Sequence, residues 1–203
     1  MSSGDRKVAR TPPELRTDRL RLRRWLPTDL TPFAALNADR RVMEHFPAAL
    51  SREESDALAA RIEAHFDQYG FGPWAVEIPG LAPFAGFVGL SVPRFEAHFT
   101  PCVEIRWRLA AQYWGRGYAT EGARVVSAFA FQTMGLGDIV SFTVPANLRS
   151  RRVMERIGMV HNPADDFDHP GLPEKHPLRR HVLYRMPRIG HLPQGSSTRA
   201  SNG

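Results

Sequence analysis

Cysteine is nearly missing from this 203-residue sequence. With Cys102 alone, no intrachain disulfide can form, which fits a reducing compartment. Lysine is almost as scarce: of 27 basic residues only Lys7 and Lys175 are lysines, and the rest are arginines. Such a skew can follow from the base composition of the coding genome, so it does not by itself point to a partner. Charge, Gly or Pro breaks every apolar run well short of membrane-spanning length, so no transmembrane helix is expected. The first ten residues, MSSGDRKVAR, hold no apolar core of a secretory signal, and the expected location is cytoplasmic. Zinc-ligand spacing, an EF-hand loop, HExxH, an aromatic RNA-binding motif and a basic heptad region are also missing. No metal is therefore expected. The net charge of +6 fits a small polyphosphate at least as well as nucleic acid.

What is present is ordinary for one soluble domain: 42% hydrophobic and 24% charged residues, with enough chain to bury a core. Residues 1–13 read as a flexible basic arm and 188–203, rich in Pro, Gly and Ser, as a disordered tail. The folded domain is expected over 14–187. Within it LRTDRLRLRRW alternates Leu20 and Leu22 with arginines, as a half-buried strand does. Thr28 is a candidate N-cap for a short helix. Ser51 and Glu54 stand at capping-box spacing before a helix in which Leu58, Ile62, Phe66 and Tyr69 recur and which Gly70 ends. PWAVEI, FAGFVGLSV and CVEIRWRLA read as three strands. In the last, Val103, Ile105, Trp107 and Leu109 share one face and Glu104, Arg106 and Arg108 the other. A helix from Thr120, the strand IVSFTV, a helix capped by Asn147 and closed by Gly158, and the strand RRHVLYRM complete the order. The fold class is α/β: a mixed, mostly antiparallel sheet flanked by helices.

The segment QYWGRGYATEG joins strand to helix through Gly115 and Gly117. Free amides at a helix N-terminus, together with its dipole, favour an anion. Thr120 stands where a dinucleotide fingerprint wants its third glycine, and Gly-Lys-Ser/Thr is absent, so neither nucleotide motif applies.

QYWGRG fits the Gln/Arg-x-x-Gly-x-Gly/Ala signature of the GNAT superfamily of N-acetyltransferases. EIRWRLAAQYWGRGYATEGA, NLRSRRVMERIGM and the opening LRTDRLRLRRWLPTDL resemble the branch that includes the ribosomal-protein N-terminal acetyltransferases. The resemblance implies the acyl-CoA N-acyltransferase fold, with its fourth and fifth strands splayed and acetyl-CoA in the gap as cosubstrate. The pyrophosphate would rest on the turn formed by Gln112, Tyr113, Trp114, Gly115, Arg116 and Gly117. Tyr118, Ala119 and Thr120 would open the helix behind it. The pantetheine arm would run beside Trp107, Arg108 and Leu109, and Asn147 would bond to it. Arg151, with Arg149 and Arg152 in a helix's first turn, would meet a phosphate.

The acceptor implied is a primary amine, on a small molecule or a protein N-terminus. Glu104 is the candidate base, and its structural alternative is an ion pair with Arg106 or Arg108. Ser150, from the family's Asn-x-x-Ser, lies near the sulfur as a candidate acid or hydrogen-bond donor. Arg106 stands where the resembling branch usually has a small residue, and is compatible with an acidic group on the acceptor. His169 and His181, in and after the polar loop 162–177, are alternative bases. That loop could cover the acceptor side, although a structural role suffices to explain it. Cys102 reads as a packed residue rather than a nucleophile. Trp25, Phe46, Phe71 and Trp74 divide between core and acceptor pocket. A binding module for acyl-CoA without turnover and a nucleic-acid binder remain as competing readings, and a homodimer is compatible with all of them.

Overall fold

Short alternating apolar segments build one twisted sheet in the computed structural model, which describes residues 13–188. Its strands are β1 (Leu15–Arg16), β2 (Arg21–Arg23), β3 (Pro73–Ile78), β4 (Ala82–Ser91), β5 (Glu104–Leu109), β6 (Asp138–Thr143), β7 (Val160–His161), β8 (Phe167–Asp168) and β9 (Arg180–Pro187). Their spatial order is β1-β2-β3-β4-β5-β6-β9-β7, with β8 also on β9. Every pairing is antiparallel except β5 with β6. The helices are α1 (Leu30–Ala38), α2 (Arg52–Tyr69), α3 (Tyr118–Ala128) and α4 (Leu148–Arg156). The expected arm and tail lie outside the described residues, apart from Pro13 and Arg188. The Pro13 carbonyl accepts from Trp74 Nε1 at 3.0 Å, and the Arg188 amide donates to the Gly137 carbonyl at 2.8 Å.

Strand alternation sets which helix covers which face. Phe87 of β4 packs edge-on against Phe33 of α1, whereas its neighbour Val88 meets Gly122 of α3. Adjacent strand residues point to opposite faces, so α1 and α3 cover opposite sides. A Cβ on Gly122 would lie 3.2 Å from Val88, which shows how closely α3 approaches. In the β4–β5 register Phe87 lies opposite Arg108, which puts Arg108, Arg106 and Glu104 on the α1 side.

The capping box of α2 forms as spaced: Ser51 Oγ accepts from the Glu54 amide at 3.2 Å, and Glu54 Oε2 accepts from the Ser51 amide at 2.8 Å. Asn147 caps α4 through the Ser150 amide. Thr28 does not cap α1. A 3-10 turn over Pro27–Asp29 precedes that helix, and Asp29 accepts from the Leu26 amide at 2.8 Å. No side chain caps α1; the Asp29 carboxylate is turned to other partners. Asp29, 1% exposed, also holds Arg23 in a two-pronged pair at 2.7 and 2.9 Å. Arg23 reaches Glu77 of β3 and the Pro83 carbonyl as well, so one buried guanidinium ties β2, the turn and the β3–β4 hairpin together. Removing one partner of a buried pair leaves an uncompensated charge. Glu77 would still face Arg23, so Asp29→Asn should cost about 3 kcal/mol, the low end for such pairs. Urea unfolding checks this. A loss of no more than about 1 kcal/mol, as for an exposed pair, would deny the network that weight.

Candidate active site

The parallel pair β5–β6 opens the sheet. Glu104 pairs with Val140, whose amide donates to the Val103 carbonyl at 2.9 Å, and no further β5–β6 pair follows. β5 stays in register with β4 to Leu109, and β6 with β9 to Thr143. These are the fourth and fifth strands of the sequence reading, because Leu15–Arg16 forms a short strand of its own. A cavity of about 860 Å³ occupies the splay.

At its mouth the chain turns from β5 into α3. Gly115 and Gly117 have φ of 75° and 82°, a region that side chains disfavour. Among the described residues, no amide from Gly115 to Thr120 donates to a protein acceptor. A Cβ on Gly115 would meet nothing within 4 Å. The turn is thus a row of free donors at a positive helix end, with open space before it. Arg19 pins it from behind: its guanidinium donates to the Arg116 carbonyl at 3.0 Å and pairs with Glu121 of α3. Tyr113, Trp114 and Tyr118 line the cavity, and Trp114 Nε1 donates to the Leu109 carbonyl at 2.8 Å. Gln112 and Arg116 are exposed and their side chains stay off the cavity wall.

The facing wall comes from the end of β6 and from α4. Asn147 accepts from the Ser150 amide at 3.2 Å and donates to Thr143 Oγ1 at 3.0 Å. Asn147 and Ser150 both line the cavity. Arg151 does not: it donates to Tyr184 Oη at 3.1 Å and to the Pro145 carbonyl at 3.2 Å. Arg149, Arg152 and Arg156 line it instead, and Arg149 lies 4.6 Å from the Trp114 ring. Their spacing marks one helix face, a signal present in the sequence that would have singled them out over Arg151.

Glu104 lines the cavity at 9% exposure. It forms no ion pair with Arg106 or Arg108; Ser91 Oγ donates to it at 3.0 Å from the opposite position on β4. The sequence reading missed Ser91 because cross-strand register is not written in local spacing. Burial pushes the Glu104 carboxyl above its usual range, against the Arg106 charge and the Ser91 hydrogen bond. His169 and His181 also line the cavity, and burial lowers both imidazoles. His169 Nδ1 accepts from the Gly171 amide at 3.1 Å, so in the neutral ring the proton sits on Nε2. His181 Nδ1 faces the Arg179 carbonyl at 3.0 Å and must donate to it, which leaves the Nε2 lone pair free. As bases, Glu104 and His181 are therefore better placed than His169. Burial and the nearby Glu104 and Asp138 carboxylates raise the Cys102 thiol to about 11, which keeps it protonated.

Of the four aromatics weighed for the pocket, Phe46 lines it, whereas Trp25 and Trp74 are core and Phe71 is half-buried against the core. The loop after α4 pairs through β8 with β9, and its carboxylates face basic partners: Asp166 with His161, Asp165 with Arg185. Among the described residues there is no cluster of metal-ligating side chains, and no helix is long and apolar enough to cross a membrane.

Glu104→Gln should separate stability from chemistry. A carboxyl raised in the folded state opposes folding once pH exceeds its unfolded value, and the cost is complete above its folded value. Glutamine should therefore raise the melting midpoint at neutral pH, with the gain vanishing below about pH 4.5, the ordinary glutamate value. A drop in midpoint at neutral pH would instead mark Glu104 as a structural partner.

The family model described as an acetyltransferase (GNAT) domain matches residues 19–160. The uncharacterized protein YkkB of Bacillus subtilis is 30% identical over 147 residues, 72% of this chain and 84% of that one. The FsC-acetyl coenzyme A-N(2)-transacetylase of Aspergillus fumigatus is 36% identical over 96 residues, 45% of this chain and only 40% of that one. Among solved structures, an acetyltransferase from Agrobacterium tumefaciens superimposes with a TM-score of 0.70 at 26% identity, over 87% of this chain and 95% of that one. A ribosomal-protein-S5-alanine acetyltransferase from Vibrio fischeri shares the fold, with a TM-score of 0.69 at 15% identity over 89% of this chain and all of that one. The splayed sheet, the glycine turn and these matches together establish that this chain belongs to the GNAT acetyltransferase family.

Proposed function

We propose that this protein moves an acetyl group from acetyl-CoA directly to a primary amine, on a small molecule or a protein N-terminus. The row of unpartnered amides from Gly115 to Thr120 carries the reading. It suits a pyrophosphate: the donors are fixed in advance, the α3 dipole adds to them, and no side chain fills the space. Arg149, Arg152 and Arg156 on the facing wall add positive charge for the same group. The cleft-side backbone of Trp107 to Leu109 and the Asn147 amide suit a polar linear arm.

When bound, acetyl-CoA supplies a thioester that a neutral amine can attack without a covalent enzyme intermediate. The chain's task is to orient the amine and remove its proton. Glu104 would take the proton: it is deep in the cleft, free of an ion pair, and burial makes its carboxylate more basic. Ser150, which lines the cavity from the first turn of α4, would donate to the departing sulfur. Cys102 takes no part, since a thiol held near 11 makes a poor nucleophile.

Thermal unfolding with and without acetyl-CoA tests the reading. A ligand at 100 times its Kd should stabilise the fold by about 2.7 kcal/mol. Gly115→Trp, whose side chain would enter the open space before the donors, should abolish that gain while its unliganded melt remains cooperative. CoA release with an amine panel then reads turnover. A gain equal in both proteins would move the cofactor away from the turn. A gain without CoA release from any amine would favour an acyl-CoA-binding module.

A further inference from the structure

The acceptor half of the cleft is lined with cations that have no anion. Arg61 of α2, Arg94 just after β4, and Arg106 and Arg108 of β5 all border the cavity that holds Glu104. None has a carboxylate within 4.0 Å among the described residues, although arginines elsewhere in the molecule are paired, such as Arg23, Arg24 and Arg41. Solvation explains Arg61 and Arg94, which are exposed. It does not explain Arg108, which is 7% exposed. That guanidinium has one neutral acceptor, Asn37 Oδ1 at 2.6 Å, and lies 4.2 Å from the Phe46 ring and 5.6 Å from the Phe87 ring. Its Nε has no hydrogen-bond partner. A buried charge in that state is expensive, and a second arginine two residues away on the same strand face adds repulsion. Burial and Arg106 together push Arg108 down to about 9, still far above neutrality, so the charge persists. The phosphate cradle does not relieve it. That cradle lies at α3 and α4, whereas Arg108 points to α1 and the segment before α2.

Glu104 and Arg106 stand two residues apart on one face of β5, a spacing of about 6.6 Å along a strand. The face offers a carboxylate and then a guanidinium, with a second guanidinium beyond. Resting on the transferase reading above, we propose that the acceptor is a small zwitterion: its amine lies at Glu104 and its carboxylate or phosphate at Arg106 and Arg108, drawn in by Arg61 and Arg94. Guanidinium groups suit either anion through paired N–H donors. A cationic polyamine would meet four like charges.

The test uses amines matched in shape and differing in charge: amino acids against their amides, and 2-aminoethyl phosphate against ethanolamine. Initial rates of CoA release give kcat/KM for each. Calorimetric titration of the CoA-loaded protein with the same compounds reads binding without turnover. The anionic member of at least one pair should be favoured, and Arg106→Ala should cost it about 10- to 100-fold, the worth of a charge-assisted bond. The same variant should cost the uncharged member less, so that the preference within the pair collapses, and acetyl-CoA affinity should hold, which a merely structural role would not produce. The carboxylate and phosphate pairs identify which anion fits. Equal rates and equal binding within every pair, or no binding of any anion, overturn the proposal and leave the transferase reading standing. Anion binding that Arg106→Ala abolishes, without CoA release from any amine, supports the site and counts against the transferase reading instead.

Discussion

Along the cleft β5 leaves one edge of its backbone without a neighbouring strand, and the rest of the site depends on that edge. Buried peptide groups must find partners. On the β4 side they do, in unbroken register from Glu104 to Leu109. On the β6 side pairing stops after Glu104, and the Leu109 carbonyl is met by the Trp114 indole rather than by a strand. Ending the ladder there fixes three things at once. The gap reaches the glycine turn, because that turn follows β5 directly. It reaches Asn147 and Ser150, because they follow β6. It also sets Glu104, Arg106 and Arg108 of β5 along the wall of the cavity. One missing ladder therefore brings the turn of free amides, the polar edge and the acidic and basic face together around one cavity.

The charges on that face are held apart, and magnitudes explain their state. Glu104 and Arg108 are four strand residues apart, about 13 Å at the strand rise. At an effective dielectric near 20 their attraction is about 1.3 kcal/mol, against several kcal/mol of desolvation for each ion. Desolvation wins at both ends, so Glu104 is raised and Arg108 lowered, and neither is the other's partner. Arg106 lies between them and acts on both: its charge moderates the rise at Glu104 and adds to the fall at Arg108.

Much of this was legible in the sequence, for local reasons. Capping residues at Ser51, Glu54 and Asn147, the glycines of the turn, and the alternation in EIRWRL act over a few residues, and each appears where its chemistry puts it. What stayed hidden depends on distance. Arg23 reaches Asp29 from another element and the chain enters α1 through a 3-10 turn, so Thr28 is no cap. Ser91 meets Glu104 through a register no spacing reveals, and Asn37 meets Arg108 across 71 positions. Arg61 and Arg94 carry no local mark, and only the placement of α2 and of the segment after β4 brings them to the cavity beside β5. The wider helical turn at Phe129–Thr133 has no mark in the sequence that we can name.

The arginine-lined face also bears on the choice of base. An ammonium brought beside uncompensated guanidinium groups is disfavoured relative to its neutral form, so the site lowers the amine's own affinity for its proton. A zwitterionic acceptor meets this field in two ways. Its anion is attracted and pays for entry, while its ammonium is pressed to lose a proton to the nearest acceptor. On the proposed reading Glu104, made more basic by burial, is the acceptor that this field favours over His181. His181 also sits on β9, beyond β6 from the arginines, among Phe142, Phe167 and His169, where burial keeps it neutral. A neutral imidazole in an aromatic wall suits the shape of a pocket as well as its chemistry. On the proposed reading, the strand that carries the cations, and not the strand that carries the histidine, supplies the field that would move the proton.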